Sequence, residues 1–408
     1  MAGNAAVAEG VTAALPASSM PWRLLAWGAL GVALHIGLAR FGYGVVLPAL
    51  RVELGLGYTA GGVLNAVHLG AYLAGTLSGP AMARHLGMAG LARLGHWIVV
   101  AGALACALAP GDPVMGPWVL GAGRLATGLG AGWAVIAILV TVLGAIAEAA
   151  RGQASVLIWT GLAVAVLGCG LATPWLLLPG LWRGAFAAAA AVALVLALGF
   201  PVARAGPAVT AGEPGFTLAA VATRRWAWLV ATYFCFGLGY IAYATFAGAR
   251  LAATGAAVAV VMLTWTTVGI ATLAGSLLTL AVLARPRLRP LALPGAMALA
   301  AVGAAVAALP SAAAALSGAT LVGLGLAATP ALITAAARTR SSAGDYAMAF
   351  SIATAALGLG QLLGPVLAGA LADAFGTIAA PLFAAVAYAA GAVVAMVDLR
   401  TERPGRRR

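Results

Sequence analysis

The chain has 408 residues, 63% hydrophobic and 8% charged, with a formal net charge of +13, and all 22 of its basic residues are arginine. Soluble domains carry roughly 25% charged residues, so a soluble class is excluded, and apolar runs of roughly 18 residues or more recurring from end to end indicate a multi-pass helical membrane protein. The runs are continuous rather than alternating, which excludes a β-barrel, and the arginines gather in short loops and the tail, where membrane topology rather than nucleic acid accounts for them.

The absence of lysine and the heavy use of Ala and Gly suggest a GC-rich bacterial genome, and hence a bacterial inner membrane. Residues 1–20 lack a basic start and contain Glu9, so they read as a disordered cytoplasmic tail rather than a signal peptide. Twelve spans follow, at about 22–48, 58–82, 94–110, 116–147, 153–179, 183–201, 225–249, 256–283, 290–309, 312–337, 345–371 and 377–398. Of the arginines outside the spans, 17 fall on the side of the termini and 3 (Arg51, Arg183, Arg250) on the other. This bias places both termini in the cytoplasm. Cys106, Cys169 and Cys235 are scattered through apolar spans, which argues against disulfides and a metal site.

The stretch GLARFGYG (37–44) returns as GLGYIAYA (237–244), 200 residues later, aligning Arg40 with Tyr240 and Tyr43 with Tyr243. GLGAG (128–132) is echoed by GLGLA (323–327). These echoes predict a six-helix bundle over 21–202, a cytoplasmic linker over 203–224, a second six-helix bundle over 225–399, and a basic cytoplasmic tail over 400–408. The interiors of spans 3, 6, 9 and 12 read as free of polar side chains, which predicts that every third helix is peripheral and the other eight surround something polar.

The sequence resembles the major facilitator superfamily over residues 21–400. GRLATGLGAG (123–132) is similar to its Arg-x-x-x-Gly-x-Gly motif, and ARGQA (150–154) resembles its loop after the fourth helix. ARFGYGVVLPAL (39–50), FGLGYIAYATF (236–246) and LGLGQLLGPVLAG (357–369) resemble the YbfB/YjiJ-type subfamily. The resemblance implies twelve transmembrane helices in two pseudo-symmetric bundles and transport by alternating access. In GPAMARHLG (79–87) the superfamily's acid is replaced by Ala83 and only Arg84 is kept, which puts the usual gating contacts there in doubt.

All nine acids map to tails, loops or span ends, whereas Arg40, Arg124, His35 and His68 lie deep. A charge at mid-membrane costs at least ~2.5 kcal/mol and faces a cavity or a partner. At roughly 1.5 Å per residue, Arg40, Arg124 and His68 share a depth of about 12–15 Å. Asn65, His68, Tyr72 and Thr76 form one face of span 2; Arg40, Tyr43 and Gly44 share a face of span 1. His35 lies about 140° round an α-helix from Arg40, and is set aside. Tyr233, Phe236, Tyr240 and Tyr243 form an aromatic stripe in span 7; Trp265, Thr272, Ser276 and Thr279 share a face of span 8.

The expected substrate-binding set is Arg40, Tyr43, Asn65, His68, Arg124, Tyr240, Tyr243, Trp265 and Gln361, with His68 also the expected proton carrier. Gating or helix packing is assigned to Arg84, Gly128, Arg151, Gly360, Gly364 and Pro365. Structural alternatives stay open: either arginine bracing backbone carbonyls, His68 as a plain interhelical bond, the tyrosines as packing. A cationic core without an acid points to a small organic anion, a carboxylate being the natural partner of a guanidinium. The other reading is an efflux pump for amphipathic drugs or metabolites. H-E-x-x-H, G-x-S-x-G and ATP-binding motifs are absent, so neither an enzyme nor an ATP-driven pump is expected. No cofactor or metal is expected, and a monomer is.

Overall fold

The computed structural model describes residues 21–146, 150–199, 224–340 and 343–402. The expected tail 1–20, the linker as far as residue 223 and the tail beyond residue 402 lie outside the described residues. Among the described residues there are helices and turns but no strand. Ten helices there are long and apolar enough to cross a membrane when 58–107 counts as one, and Arg183–Gly199 is a shorter apolar helix.

The stretch Tyr58–Ala107 is in fact two helices. Gly87 sits at φ 68° and ψ 166°, a conformation that costs glycine little and other residues much. The packing shows that the chain reverses there. In the next helix, Gly128 and Gly132 lie against His68 and Tyr72, so the two run parallel; Gly123 and Gly130 lie against Gly102 and Gly95, so that limb runs antiparallel. The described residues thus form twelve helices: α1 (Trp22–Leu54), α2 (58–86), α3 (88–107), α4 (Met115–Gly144), α5 (Arg151–Leu176), α6 (Arg183–Gly199), α7 (Arg224–Ala253), α8 (Val258–Leu283), α9 (Ala292–Ala307), α10 (Ala312–Arg340), α11 (Ala343–Phe375) and α12 (Ala379–Glu402).

The predicted repeat is visible in the packing. Gly128 of α4 meets the His68 carbonyl of α2, and Gly323 of α10 meets the Val268 carbonyl of α8. His68 and Val268 are 200 residues apart, the spacing read from the sequence. The bundles meet through α1 with α7, α2 with α11, and α5 with α8. A two-fold relation exchanges the last two pairs and leaves the first on its axis. At that axis equivalent positions touch each other: a Cβ on Gly44 would strike the carbonyl of Ala244, its own counterpart. In lipid such close backbone approach, allowed by small residues, drives helix association.

Helices α3, α6, α9 and α12 stay outside these contacts between bundles. They are not free of polar groups, however. His96 of α3 is fully buried with its ring 5.2 Å from that of His35, and Asp398 of α12 is buried as well. His96 faces the interior of its own bundle, so the expected rule holds for position and fails for composition.

The contacts between bundles cluster away from the side where α1 begins. Near the start of α2, Gly62 packs on the Pro365 carbonyl and Gly369 on the Tyr58 carbonyl. At that far end Asp373 of α11 accepts hydrogen bonds from the first two amides of α2, Tyr58 (2.8 Å) and Thr59 (2.7 Å). A carboxylate there satisfies orphan amides and complements the helix dipole.

Candidate functional site

Helix α1 is not a uniform α-helix. Trp22–Val32 and Tyr43–Leu54 are α-helical, and Ala33–Gly42 between them is a π-helix. π-turns are rare and recur at functional sites. Five residues make one π hydrogen-bond step, so the α-helical phase that separated His35 from Arg40 does not apply here. Both residues are buried.

Arg40 sits in this segment, 5% exposed, where the two bundles meet. Its Nη1 donates to Tyr240 Oη at 2.8 Å and to Gln361 Oε1 at 3.3 Å. Tyr240 is its repeat counterpart, so this bond also lies on the pseudo-two-fold axis. The guanidinium carbon is 4.5 Å from the centre of the Tyr72 ring, a cation–π contact. Buried Nε has no partner, and both bonds leave through Nη1. Nε is therefore the Arg40 nitrogen left without an acceptor. A carboxylate meets a guanidinium with two parallel bonds.

Arg124 is held differently. It is 1% exposed and donates from Nε to the Leu64 carbonyl (3.4 Å), from Nη1 to the Ala39 carbonyl (2.8 Å), and from Nη2 to Asn65 Oδ1. Its guanidinium carbon lies 4.4 Å from the centre of the Tyr43 ring. Arg124 thus ties α4 to α1 and α2, in the manner of the structural alternative. Asn65 is committed at both ends, because its Nδ2 donates 2.7 Å to Thr245 Oγ1 of α7. This link between bundles, and the part of Thr245 in it, had no sequence signal: a threonine in an apolar helix reads as satisfied by its own backbone.

His68 is fully buried, with Nδ1 3.1 Å from Thr127 Oγ1. The Thr127 hydroxyl also lies 3.0 Å from the Arg124 carbonyl. Which of His68 Nδ1 and the Thr127 hydroxyl donates follows the histidine tautomer. Nε2 is left without a partner.

No acid among the described residues pairs with Arg40 or Arg124; every acceptor they use is neutral. The ion pair found among those residues, Glu53 with Arg183 at 2.6 Å, lies at the far end of α1.

The structure brings Arg40, Tyr240 and Gln361 together, and separately Arg124, Asn65, Tyr43, Thr127 and His68. Tyr43 faces its own bundle, its hydroxyl donating to the Gly61 carbonyl at 2.7 Å. Tyr243 is buried with an unpartnered hydroxyl, and Trp265 is buried edge-on to Phe41 at 6.2 Å. Neither bonds Arg40. Tyr233, Phe236 and Tyr240 stack in sequence, with ring centres 6.0 and 5.0 Å apart. The span-8 hydroxyls of Thr272, Ser276 and Thr279 each bond a carbonyl of their own helix.

Of the expected gating set, Gly128 packs on α2, Gly360 and Gly364 on α7, and the Pro365 carbonyl on Gly62. Arg151 caps the end of α4, donating 3.1 Å bonds to the Leu143 and Ile146 carbonyls. Arg84 is exposed beside the Gly87 turn. Among the described residues no group of three His, Cys, Asp or Glu is placed to hold a metal.

Twelve helices in two bundles around a two-fold axis, with polar groups at the axis, define a transporter of the major facilitator type. The chain belongs to the family described as "Uncharacterised MFS-type transporter YbfB", which matches residues 32–399. No curated protein matches it in sequence. Among solved structures it is similar to a bacterial homolog of the human lysosomal transporter Spinster in an inward-facing, unoccupied conformation. That match has TM-score 0.69 and 17% identity, covering 93% of this chain and 96% of that one. It is also similar to the nucleoside transporter NupG (TM-score 0.72, 14% identity, 93% and 100% covered) and to a D-xylose-proton symporter (TM-score 0.71, 16% identity, 92% and 97% covered). At these identities the likeness is one of fold. The family and these neighbours are membrane transporters rather than enzymes, and the chain is a multi-pass membrane protein that moves a small molecule.

Proposed function

We propose that this transporter carries a small organic anion, a carboxylate, across the bacterial inner membrane by alternating access, with protons as the coupling ion. The observation that carries the reading is the buried Arg40 guanidinium at the axis between the bundles, whose acceptors are neutral and whose Nε has no partner. An anion there supplies the missing counter-charge, and the contacts Arg40 makes to Tyr240 and Gln361 join its occupancy to the opposite bundle. His68, whose Nε2 is free, is the proton carrier in this reading. The arginine bias puts both termini and the linker in the cytoplasm, so the contacts at the far end close the periplasmic side. Gly128, Gly360, Gly364 and Pro365 act as sliding contacts, Arg84 and Arg151 at the cytoplasmic ends, in a chain that works as a monomer.

The test is a thermal-shift screen of organic acids on the purified protein, followed by uptake of the hits into proteoliposomes. A ligand that binds the native state raises its stability. The reading requires carboxylate hits whose uptake Arg40→Ala abolishes; transport of only neutral or cationic compounds sinks it. The stacked Tyr233–Phe236–Tyr240 wall supports the second reading, efflux of amphipathic compounds. A drug-susceptibility panel on an expressing strain separates the two.

A further inference from the structure

We infer that the turn between α8 and α9 binds the head group of an anionic phospholipid, in the leaflet on the side of the termini. The stretch ARPRLRPL (284–291) sets Arg285, Arg287 and Arg289 among two prolines and two leucines. All three arginines are exposed. Among the described residues none of the three guanidiniums has a hydrogen-bond acceptor, and the ion pair there is Glu53 with Arg183. The arginines at the far end are spent on the protein instead. Arg51 lies 3.5 Å over the Tyr58 ring, Arg183 donates to Glu53 and to the Ala109 carbonyl, and Arg250 donates to the Ala308 carbonyl at 2.8 Å.

Helix electrostatics do not account for the cluster. Arg285 follows the last turn of α8, where a cation suits the helix dipole. Arg289 opens the short 3-10 turn Arg289–Leu291 that leads into α9, where a cation opposes the dipole. The turn is also held in shape by its own backbone. The Arg285 carbonyl accepts from the Leu288 and Arg289 amides at 3.0 and 3.1 Å, and the Leu288 carbonyl accepts from the Leu291 amide at 3.0 Å. Pro286 and Pro290 fix φ at their positions. Little backbone freedom is then lost when a ligand docks.

The depth of the turn fits a head group. Leu277, Leu278 and Leu280 of α8 are exposed, which marks its lipid-facing surface. Leu280 precedes Arg285 by five residues, about 7.5 Å along a helix. Leu288 and Leu291 are exposed beside the arginines. Apolar side chains with cations next to them form an anchor at the membrane interface, and the phosphate oxygens of a lipid head group suit the guanidinium fork. Each arginine near an anionic surface contributes about fivefold in affinity, so the three together contribute about 100-fold.

The experiment titrates the full chain in detergent with dioleoyl phosphatidylglycerol and with dioleoyl phosphatidylcholine, which share their tails and differ in head-group charge. Binding is read by thermal shift and native mass spectrometry, with inorganic phosphate and glycerol phosphate run alongside. One triple variant carries Arg285→Gln, Arg287→Gln and Arg289→Gln; a second carries Lys at the same positions. Two doubles remove equal charge: Arg285→Gln with Arg289→Gln, and Arg23→Gln with Arg93→Gln, the latter pair exposed on the same side. The inference requires a preference for phosphatidylglycerol that falls about 100-fold in the triple Gln variant, survives in the triple Lys variant and weakens with salt. The first double should lose more of it than the second. Equal binding of the two lipids, or a preference that the triple Gln variant keeps, overturns the inference. So do equal losses in the two doubles, which assign the effect to net charge, and free phosphate binding as tightly as the lipid. A lipid-free melting temperature of the triple Gln variant well below wild type overturns it too, because the arginines then hold the fold.

Discussion

Removing the carboxylate of Asp373 should loosen the far end of the transporter. This side chain reaches from α11 in one bundle to the first two amides of α2 in the other, at 2.8 and 2.7 Å. Asp373→Ala deletes both bonds and the charge that faces the helix dipole. Loss of a helix cap costs about 1 kcal/mol, and solvent screening at this exposed position keeps the value near there rather than above it. With tenfold per 1.4 kcal/mol, the ratio of far-closed to far-open molecules falls about fivefold. Asp373→Asn keeps one acceptor and should shift the ratio less. Spin labels at Val52→Cys and Phe375→Cys, 83% and 73% exposed at the far ends of α1 and α11, read the separation by pulsed electron resonance. Cys106 and Cys169 are buried and Cys235 half-buried, which limits background labelling. An unchanged distance distribution in Asp373→Ala, or a larger shift in Asp373→Asn, would refute the assignment of this contact as a latch between bundles.

Three further outcomes follow from the geometry. Arg124→Lys cannot reach the three separate acceptors that the guanidinium spans; each buried acceptor left unpaired costs about 1–3 kcal/mol. Its melting temperature should drop well below wild type, and a wild-type value would contradict the structural role given to Arg124. Gly128→Ala drives a methyl into the His68 carbonyl and should lower stability measurably. Gly168→Ala, with nothing within 4 Å of the added Cβ, should be neutral or stabilising by up to ~1 kcal/mol; equal effects of the two in a melting assay would count against the packing argument. Glu53→Gln removes a half-buried ion pair with Arg183 and weakens a bond from the buried Trp182, so the loss in a melting assay should be about 1 kcal/mol.

Much of the architecture was legible because a bilayer permits few solutions. Span length, the arginine bias and the 200-residue spacing were enough for twelve helices in two related halves. The same spacing pointed at Tyr240 as the counterpart of Arg40. That the two would touch was not readable, because contact between equivalents also requires the position to lie on the axis. Depth reasoning grouped Arg40, Arg124 and His68, but it could not separate a guanidinium whose three nitrogens all hold protein acceptors from one whose Nε has none. Acceptors such as the Leu64 and Ala39 carbonyls carry no side-chain signal. The π-segment was invisible for a similar reason: ALHIGLARFG has no composition that marks a wider turn, so His35 was set aside on a phase its helix does not have. His96 was missed because span 3 was read as a whole rather than by the residues it turns toward its own bundle.

The central claim is that an anionic head completes the edge of Arg40 that carries the unpartnered Nε, and a map of the protein with its best carboxylate ligand bound tests it most directly. The account predicts the carboxylate in the plane of the guanidinium, within hydrogen-bond reach of both Nε and Nη2, with Nη1 still on Tyr240 and Gln361. A ligand headgroup seated elsewhere, with that edge of Arg40 still unoccupied, would contradict it.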